Sequence, residues 1–288
     1  MPQIRKITVP LSGHEIDEPV LDTAFAVAKR FDANLRAALI LADPRDAVAF
    51  VGEGMTSAML EQIMLSAESE GKDKAGKTRA LFETLRQRYG CPDILPPAGT
   101  GYGCHYFERV GREDEIVAQR GRLCDLLVAG RVRTNDANAP HLALEAALRE
   151  TGRPVLVVST TAPADFGKTI AIAWNGSIEV SRAIIMGMPF LERAERVIVL
   201  SVEGDTEYGP PGSDLLEYLG WHGITGQAVA VKSSERGQGQ ALLAAAEAAK
   251  ADMMFMGAYT RSHMRRLIFG GVTAYMLDHA PFPLLMTH

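Results

Sequence analysis

One stretch of this sequence is written twice, and that repeat limits the possible folds more than any other feature. Asp125-Leu-Leu-Val-Ala-Gly130 returns as Asp252-Met-Met-Phe-Met-Gly257, 127 residues later. Each copy follows a helical stretch and leads through a charged loop and a helix into a Pro-led apolar run. Those runs are Pro154-Val-Leu-Val-Val158 and Pro283-Leu-Leu-Met286, offset by 129 residues. The beginnings agree as well. Ile4–Leu11 reads as a strand ending in Ser12-Gly13, and Thr169–Trp174 as a strand ending in Asn175-Gly176-Ser177. A fixed internal period of this kind marks a duplicated structural unit.

Each start is followed by an amphipathic helix. Val20, Ala24, Val27 and Phe31 share one face after Asp17, read as an N-cap, with Pro19 in the first turn. Val180, Ala183, Ile184 and Gly187 share the corresponding face after Ser177 as cap. Second strands follow at Leu35–Leu41 and Arg196–Val202. Runs such as Leu126-Leu-Val128 and Val197-Ile-Val-Leu200 are apolar throughout, as parallel strands covered on both faces must be. Each half therefore reads β-α-β-α-β-α-β-α-β, and right-handed crossovers place helices on both faces of a twisted sheet. The expected fold is α/β: two tandem doubly wound, Rossmann-like parallel-sheet domains, at residues 1–161 and 167–288. The polar stretch Thr160–Gly167 lies at their boundary. The first half is longer because Thr56–Tyr89 reads as an extended helical region, whose companion, Pro211–His222, is short. Strands Val155–Val158 and Leu284–Met286 fall at sheet edges in the order such folds favour, and edges seek a partner. The two halves are therefore expected to pair as an intramolecular pseudo-dimer, and a homodimer is a further possibility.

The formal net charge is −5, which argues against nucleic acid or an anionic membrane as partner. No window approaches the ~18 apolar residues of a membrane span, and the N-terminus does not read as a signal peptide. A cytoplasmic location is expected. The three cysteines, Cys91, Cys104 and Cys124, are too few and too scattered for a disulfide framework. Cys104-His105 has no matching second pair, so these cysteines read as reduced thiols and no metal site is expected.

In a doubly wound sheet, ligands bind at the carboxyl ends of the strands where the strand order reverses. The second half has two suggestive loops there: Trp174-Asn175-Gly176-Ser177, and Met256-Gly257 through Thr260 to Gly270-Gly271-Val272-Thr273. Glycines at a loop-to-helix junction let backbone N–H groups approach a phosphate. Arg261, His263, Arg265 and Arg266 lie between them and could add attraction. They could equally form a solvated face.

These residues resemble the universal stress proteins of tandem, two-domain type. ATP-binding members of that family carry G-x2-G-x9-G-[S/T] between the fourth strand and the last helix. Gly257 and Gly270 stand at its first and third positions, Thr260 replaces the middle glycine, and Gly271 replaces the Ser or Thr. Asn175 stands where the family has an acidic residue. The resemblance implies a stress-response protein that binds an adenine nucleotide, ATP, in the C-terminal half with little or no catalysis. Val202 would face the adenine and Asn175 the ribose, while Gly257, Gly270, Gly271 and Val272 would face the phosphates. Ala173, Met256 and Thr260 complete the set. In the first half the matching loop, Gly130 to His141, keeps only its leading glycine, and Asp136 and Pro140 oppose phosphate binding. The alternative is a nucleotide-independent interaction and dimerisation module, with another small ligand in the N-terminal half. No nucleophile–base pair, Walker loop or zinc-protease motif is present.

Overall fold

The computed structural model describes residues 3–45, 56–94, 101–131, 141–159, 165–204, 209–233, 237–258 and 271–288. In the first half the order is β1 (Lys6–Leu11), α1 (Asp17–Phe31), β2 (Asn34–Leu41), α2 (Ser57–Tyr89), β3 (Gly103–Val110), α3 (Glu113–Gly121), β4 (Leu126–Gly130), α4 (His141–Glu150) and β5 (Val155–Val158). The second half gives β6 (Thr169–Ala173), α5 (Ile178–Met186), the short α6 (Met188–Leu191), β7 (Arg196–Val202) and α7 (Gly212–Trp221). It ends with β8 (Gly226–Val231), α8 (Gln238–Ala248), β9 (Met253–Gly257), α9 (Gly271–His279) and β10 (Leu284–Thr287).

All ten strands join one sheet in the order β3-β2-β1-β4-β5-β10-β9-β6-β7-β8. Pairing is parallel within each half. Among the described residues the one antiparallel pair joins β5 to β10, with Leu156 opposite Leu285 at its centre. The second half thus repeats the first in reverse order about a local two-fold, as expected of a pseudo-dimer. Two apolar layers, one on each face, run across this seam. Leu156 and Leu285 belong to one, with α1, α2 and α5; Val155, Val157, Leu284 and Met286 belong to the other, with α4, α8 and α9. Arg131 also crosses it, donating to the Ala280 carbonyl at 2.6 Å. Phe31 meets Phe190 edge-on at 4.8 Å.

The repeated sequence motif has a mechanical reason. The Asp125 carboxylate accepts from the N–H groups of Arg5 and Lys6 at 2.9 Å, fixing the start of β1 beside β4. Asp252 does the same for β6, accepting from Gly167, Lys168 and Thr169. The Pro carbonyls match too: Leu127 N–H donates to Pro154 and Met254 N–H to Pro283, each at 3.0 Å.

Local signals account for the helix ends. The Thr56 hydroxyl accepts from Met59 N–H at the start of α2, and Gly90 closes that helix at φ +58°. Ser177 caps α5 by accepting from Val180 N–H. Asp17 departs from expectation. It is the first helical residue of α1, after Ile16, and its carboxylate turns back to the β1 loop instead of capping the helix.

Candidate functional site

The strand order turns at β6, which has β7 on one side and β9 on the other. The carboxyl ends of β6 and β9 therefore open side by side, the position at which doubly wound sheets take ligands. Beyond β6 the chain makes a tight turn. Gly176 adopts φ +73°, and the Asn175 carboxamide oxygen accepts from Ser177 N–H at 3.1 Å. With its oxygen so engaged, Asn175 retains the amide N–H2 as a donor. A second segment closes over the turn. A Cβ on Gly176 would stand 2.7 Å from the Gly209 Cα, and the Trp174 indole N–H donates to the Pro210 carbonyl at 2.8 Å.

On one face of this opening, Ala173, Val202, Met256 and Val272 belong to a single apolar cluster, which includes Ala258 and Tyr275. Val202 and Met256 are buried, whereas Ala173 and Val272 are half-buried at its margin. Gly271 begins α9, and no heavy atom lies within 4 Å of where its Cβ would stand. A side chain there would meet no neighbour among the described residues. Of the nine residues expected from sequence, Ala173, Val202, Met256 and Val272 belong to the apolar layer on this face, and Asn175 and Gly271 sit at the ends of the adjoining elements. Thr260 and Gly270 lie outside the described residues, as do Arg261, His263, Arg265 and Arg266.

Gly257 has a second explanation. A Cβ there would come within 2.8 Å of the Glu179 Cβ and 3.1 Å of Val180 N, so the glycine lets β9 pack against the start of α5. Gly130 makes the same contact in the first half, where a Cβ would meet Ile16 at 2.5 Å. Gly130 and Gly257 are therefore demanded by helix packing, which explains why the first half keeps the leading glycine of the motif while losing the rest.

The equivalent turn in the first half is chemically different. Gly13, at φ +77°, matches Gly176. Ser12 N–H and hydroxyl and Gly13 N–H all donate to the buried Asp17 carboxylate, the last at 2.7 Å. Those amides are thus turned to an anion the chain supplies itself. Burial raises the Asp17 carboxyl above its ordinary value, opposed by the Ser12 and Gly13 bonds and the charge of His14. Nearby, burial pushes Glu113 up to about 7, with the charges of Asp17 and Asp114 adding to the effect. In the second half, the residue standing where Asp17 stands is Val180, fully buried and apolar. Sequence reasoning took Asp17 for a cap and missed this arrangement. Asp136 and Pro140 lie outside the described residues.

Among the described residues, no group of three or more His, Cys, Asp or Glu is placed to hold a metal. His105 Nδ1 turns to Asp93 at 2.9 Å, away from its neighbour Cys104, which is buried. No helix among the described residues is long and apolar enough to cross a membrane.

The family model described as the universal stress protein family matches residues 222–288. That match covers β8 to β10, including Gly257, Gly271 and Val272. No curated protein matches the chain. Among solved structures, a universal stress protein from Archaeoglobus fulgidus shares the fold at TM-score 0.68 and 12% identity, covering 98% of this chain and 97% of that one. A Pseudomonas aeruginosa protein provisionally named a universal stress protein matches at TM-score 0.53 and 15% identity, over 99% and 93% of the two chains. A functionally unknown protein from the same organism matches at TM-score 0.52 and 15% identity, over 99% and 92%.

Proposed function

We propose that this chain, which resembles the tandem universal stress proteins in fold along its length and in sequence over residues 222–288, is a stress-response module that binds one adenine nucleotide in its C-terminal half. On this reading residues 1–161 and 167–288 are two domains of one ancestry, of which the second keeps the ligand site. The observation that carries it is the contrast between the two β1-type turns. In the first half Asp17 already fills the amides of Ser12 and Gly13. In the second half a buried Val180 stands at that position, and the turn is fixed by neutral Asn175 and Ser177. A phosphate would be repelled by the first turn and tolerated by the second.

The base would rest against the apolar margin of Ala173, Val202 and Val272, with Met256 beneath. Asn175 would offer an amide N–H to a ribose hydroxyl. The open mouth of α9 at Gly271 would face the phosphates, where helix N–H groups favour negative charge. Thr260, Gly270 and the basic residues after Gly257 belong to the same proposed site. The chain's residues would bind and orient the nucleotide. Turnover would be slow at most.

A second reading, a nucleotide-independent interaction module, is favoured by the contact that closes Gly209 and Pro210 over Gly176 and Trp174. Mass spectrometry of small molecules released on denaturing the purified protein separates the two. An adenine nucleotide near one per chain supports the first reading. Protein that is empty, and stays empty after incubation with ATP, supports the second.

A further inference from the structure

Cys91 and Cys104 stand thirteen residues apart in sequence, but the fold sets their side chains against each other. Cys91 follows the end of α2 directly, and Cys104 is the second residue of β3. The segment between Cys91 and Ile94 runs beside β3, held by Cys104 N–H to Pro92 carbonyl and Ile94 N–H to Cys104 carbonyl, each at 2.9 Å. Both thiols are buried, at 2% and 0% exposure, and the Cys91 sulfur lies 4.0 Å from the Pro92 carbonyl oxygen. The Cys104 sulfur also lies 3.6 Å from the Pro92 carbonyl oxygen.

One guanidinium group attends the pair. Arg86 donates to the Cys91 carbonyl at 3.3 Å, and its charge acts on both sulfurs. The Tyr102 hydroxyl donates to the Tyr89 carbonyl at 3.1 Å, beside the pair. Asp93 acts in the opposite sense on both thiols.

We propose that Cys91 and Cys104 form an oxidisable dithiol that a hydroperoxide converts to an intramolecular disulfide, fastening the end of α2 to the edge strand β3. The roles of the two sulfurs follow from their environments. The adjacent Cys104 thiol, with the charge of Arg86, holds Cys91 below the ordinary thiol value against the effect of burial, while Cys104 beside Cys91 is pushed up. Cys91 is therefore the attacking thiolate. Its sulfur attacks one peroxide oxygen, forming an S–O bond as the O–O bond breaks. The departing oxygen leaves with the electron pair and takes a proton, giving water or an alcohol. The Cys104 sulfur then attacks the Cys91 sulfenic acid. The S–S bond forms, the S–O bond breaks, and hydroxide leaves as water with the Cys104 proton. Two thiols lose two electrons, and the peroxide gains them. β3 is the outermost strand of its half, so local opening of that edge admits a small oxidant without global unfolding. Cys124 is the internal control. Burial pushes it up to about 11, and its sulfur faces the Gly121 carbonyl.

The test is peptide mapping of full-length protein after brief treatment with hydrogen peroxide, followed by alkylation without reductant. The expected product joins the Cys91 and Cys104 peptides, with Cys124 still alkylated. In Cys104→Ser, dimedone should trap a sulfenic acid on Cys91, and Cys91→Ser should slow oxidation of the remaining thiols by at least about tenfold. Far-UV circular dichroism checks that both variants fold, and the wild-type map needs no variant. Cys91 and Cys104 staying alkylated, or Cys124 oxidising first, would overturn the assignment.

Discussion

The seam between β5 and β10 is where the sheet is most vulnerable to a single side chain. Leu156 and Leu285 face each other in the antiparallel register, and both are fully buried. Truncating Leu156 to Ala removes that contact at the local two-fold. For a closed site of this kind the cost is about 2–5 kcal/mol. At roughly 2 °C per kcal/mol for a chain of this size, Tm should fall by about 4–10 °C. Leu156→Asp adds an unpaired carboxylate to the loss, several kcal/mol more, a large share of the roughly 5–15 kcal/mol that holds a domain folded. Because both apolar layers cross the seam, the wild type should melt in one transition, and Leu156→Asp should split it in two or aggregate. The assay is thermal unfolding followed by circular dichroism, with size-exclusion chromatography before heating. Leu39→Ala, equally buried but in β2 away from the seam, gives the reference for an ordinary core cavity. If Leu156→Ala melts like wild type while Leu39→Ala does not, the two halves are not coupled through this pair and the reasoning fails.

Two other outcomes follow from the N-terminal and C-terminal turns. Glu113 holds its proton to about 7 in the fold against 4.5 for the free side chain, so the folded form binds more protons between those values. Stability should therefore be greatest below pH 4.5 as far as this group is concerned and decline as pH rises through 7. Glu113→Gln should remove that slope and stabilise the protein at pH 8 by about 1–3 kcal/mol, read from urea unfolding at several pH values; an unchanged slope would rule it out. Gly176→Ala should cost about 1–3 kcal/mol, because φ is +73° and the new Cβ would meet Gly209 at 2.7 Å. A Tm equal to wild type would show that the Gly209 contact is not maintained in solution.

Much of the fold was legible because the same physical devices appear twice. Asp125 and Asp252 each fasten the first strand of their half, so the repeat that marked the duplication in sequence is also the repeated staple. Continuous apolar strands, Thr56 before α2 and Ser177 before α5 were readable from periodicity and local capping. Asp17 was misread because a local rule and a tertiary one compete for the same carboxylate. Two residues before a helical Pro-Val pattern it resembles a cap, yet the β1 loop offers three donors that the helix end cannot match. Gly257 read as the first glycine of a phosphate motif and Gly130 as its remnant, and packing against Glu179 and Ile16 gives each a further reason that the sequence did not show. The Cys91–Cys104 contact had no sequence signal, since a thirteen-residue spacing becomes a contact only once α2 is laid beside β3. Nor could spacing show that Gly209 and Pro210 reach across to Gly176 and Trp174.

Isothermal titration of ATP into the wild type and Gly271→Val tests the central claim most directly. No heavy atom lies within 4 Å of the Gly271 Cβ position, so the substitution should leave Tm within about 2 °C, as expected of a change that touches nothing. Its branched side chain would nonetheless occupy the mouth of α9. The account predicts one saturable site per wild-type chain and at least about a tenfold weaker Kd in Gly271→Val, a loss of 1.4 kcal/mol or more. ATP that fails to bind the wild type, or binds the variant equally well, would contradict it.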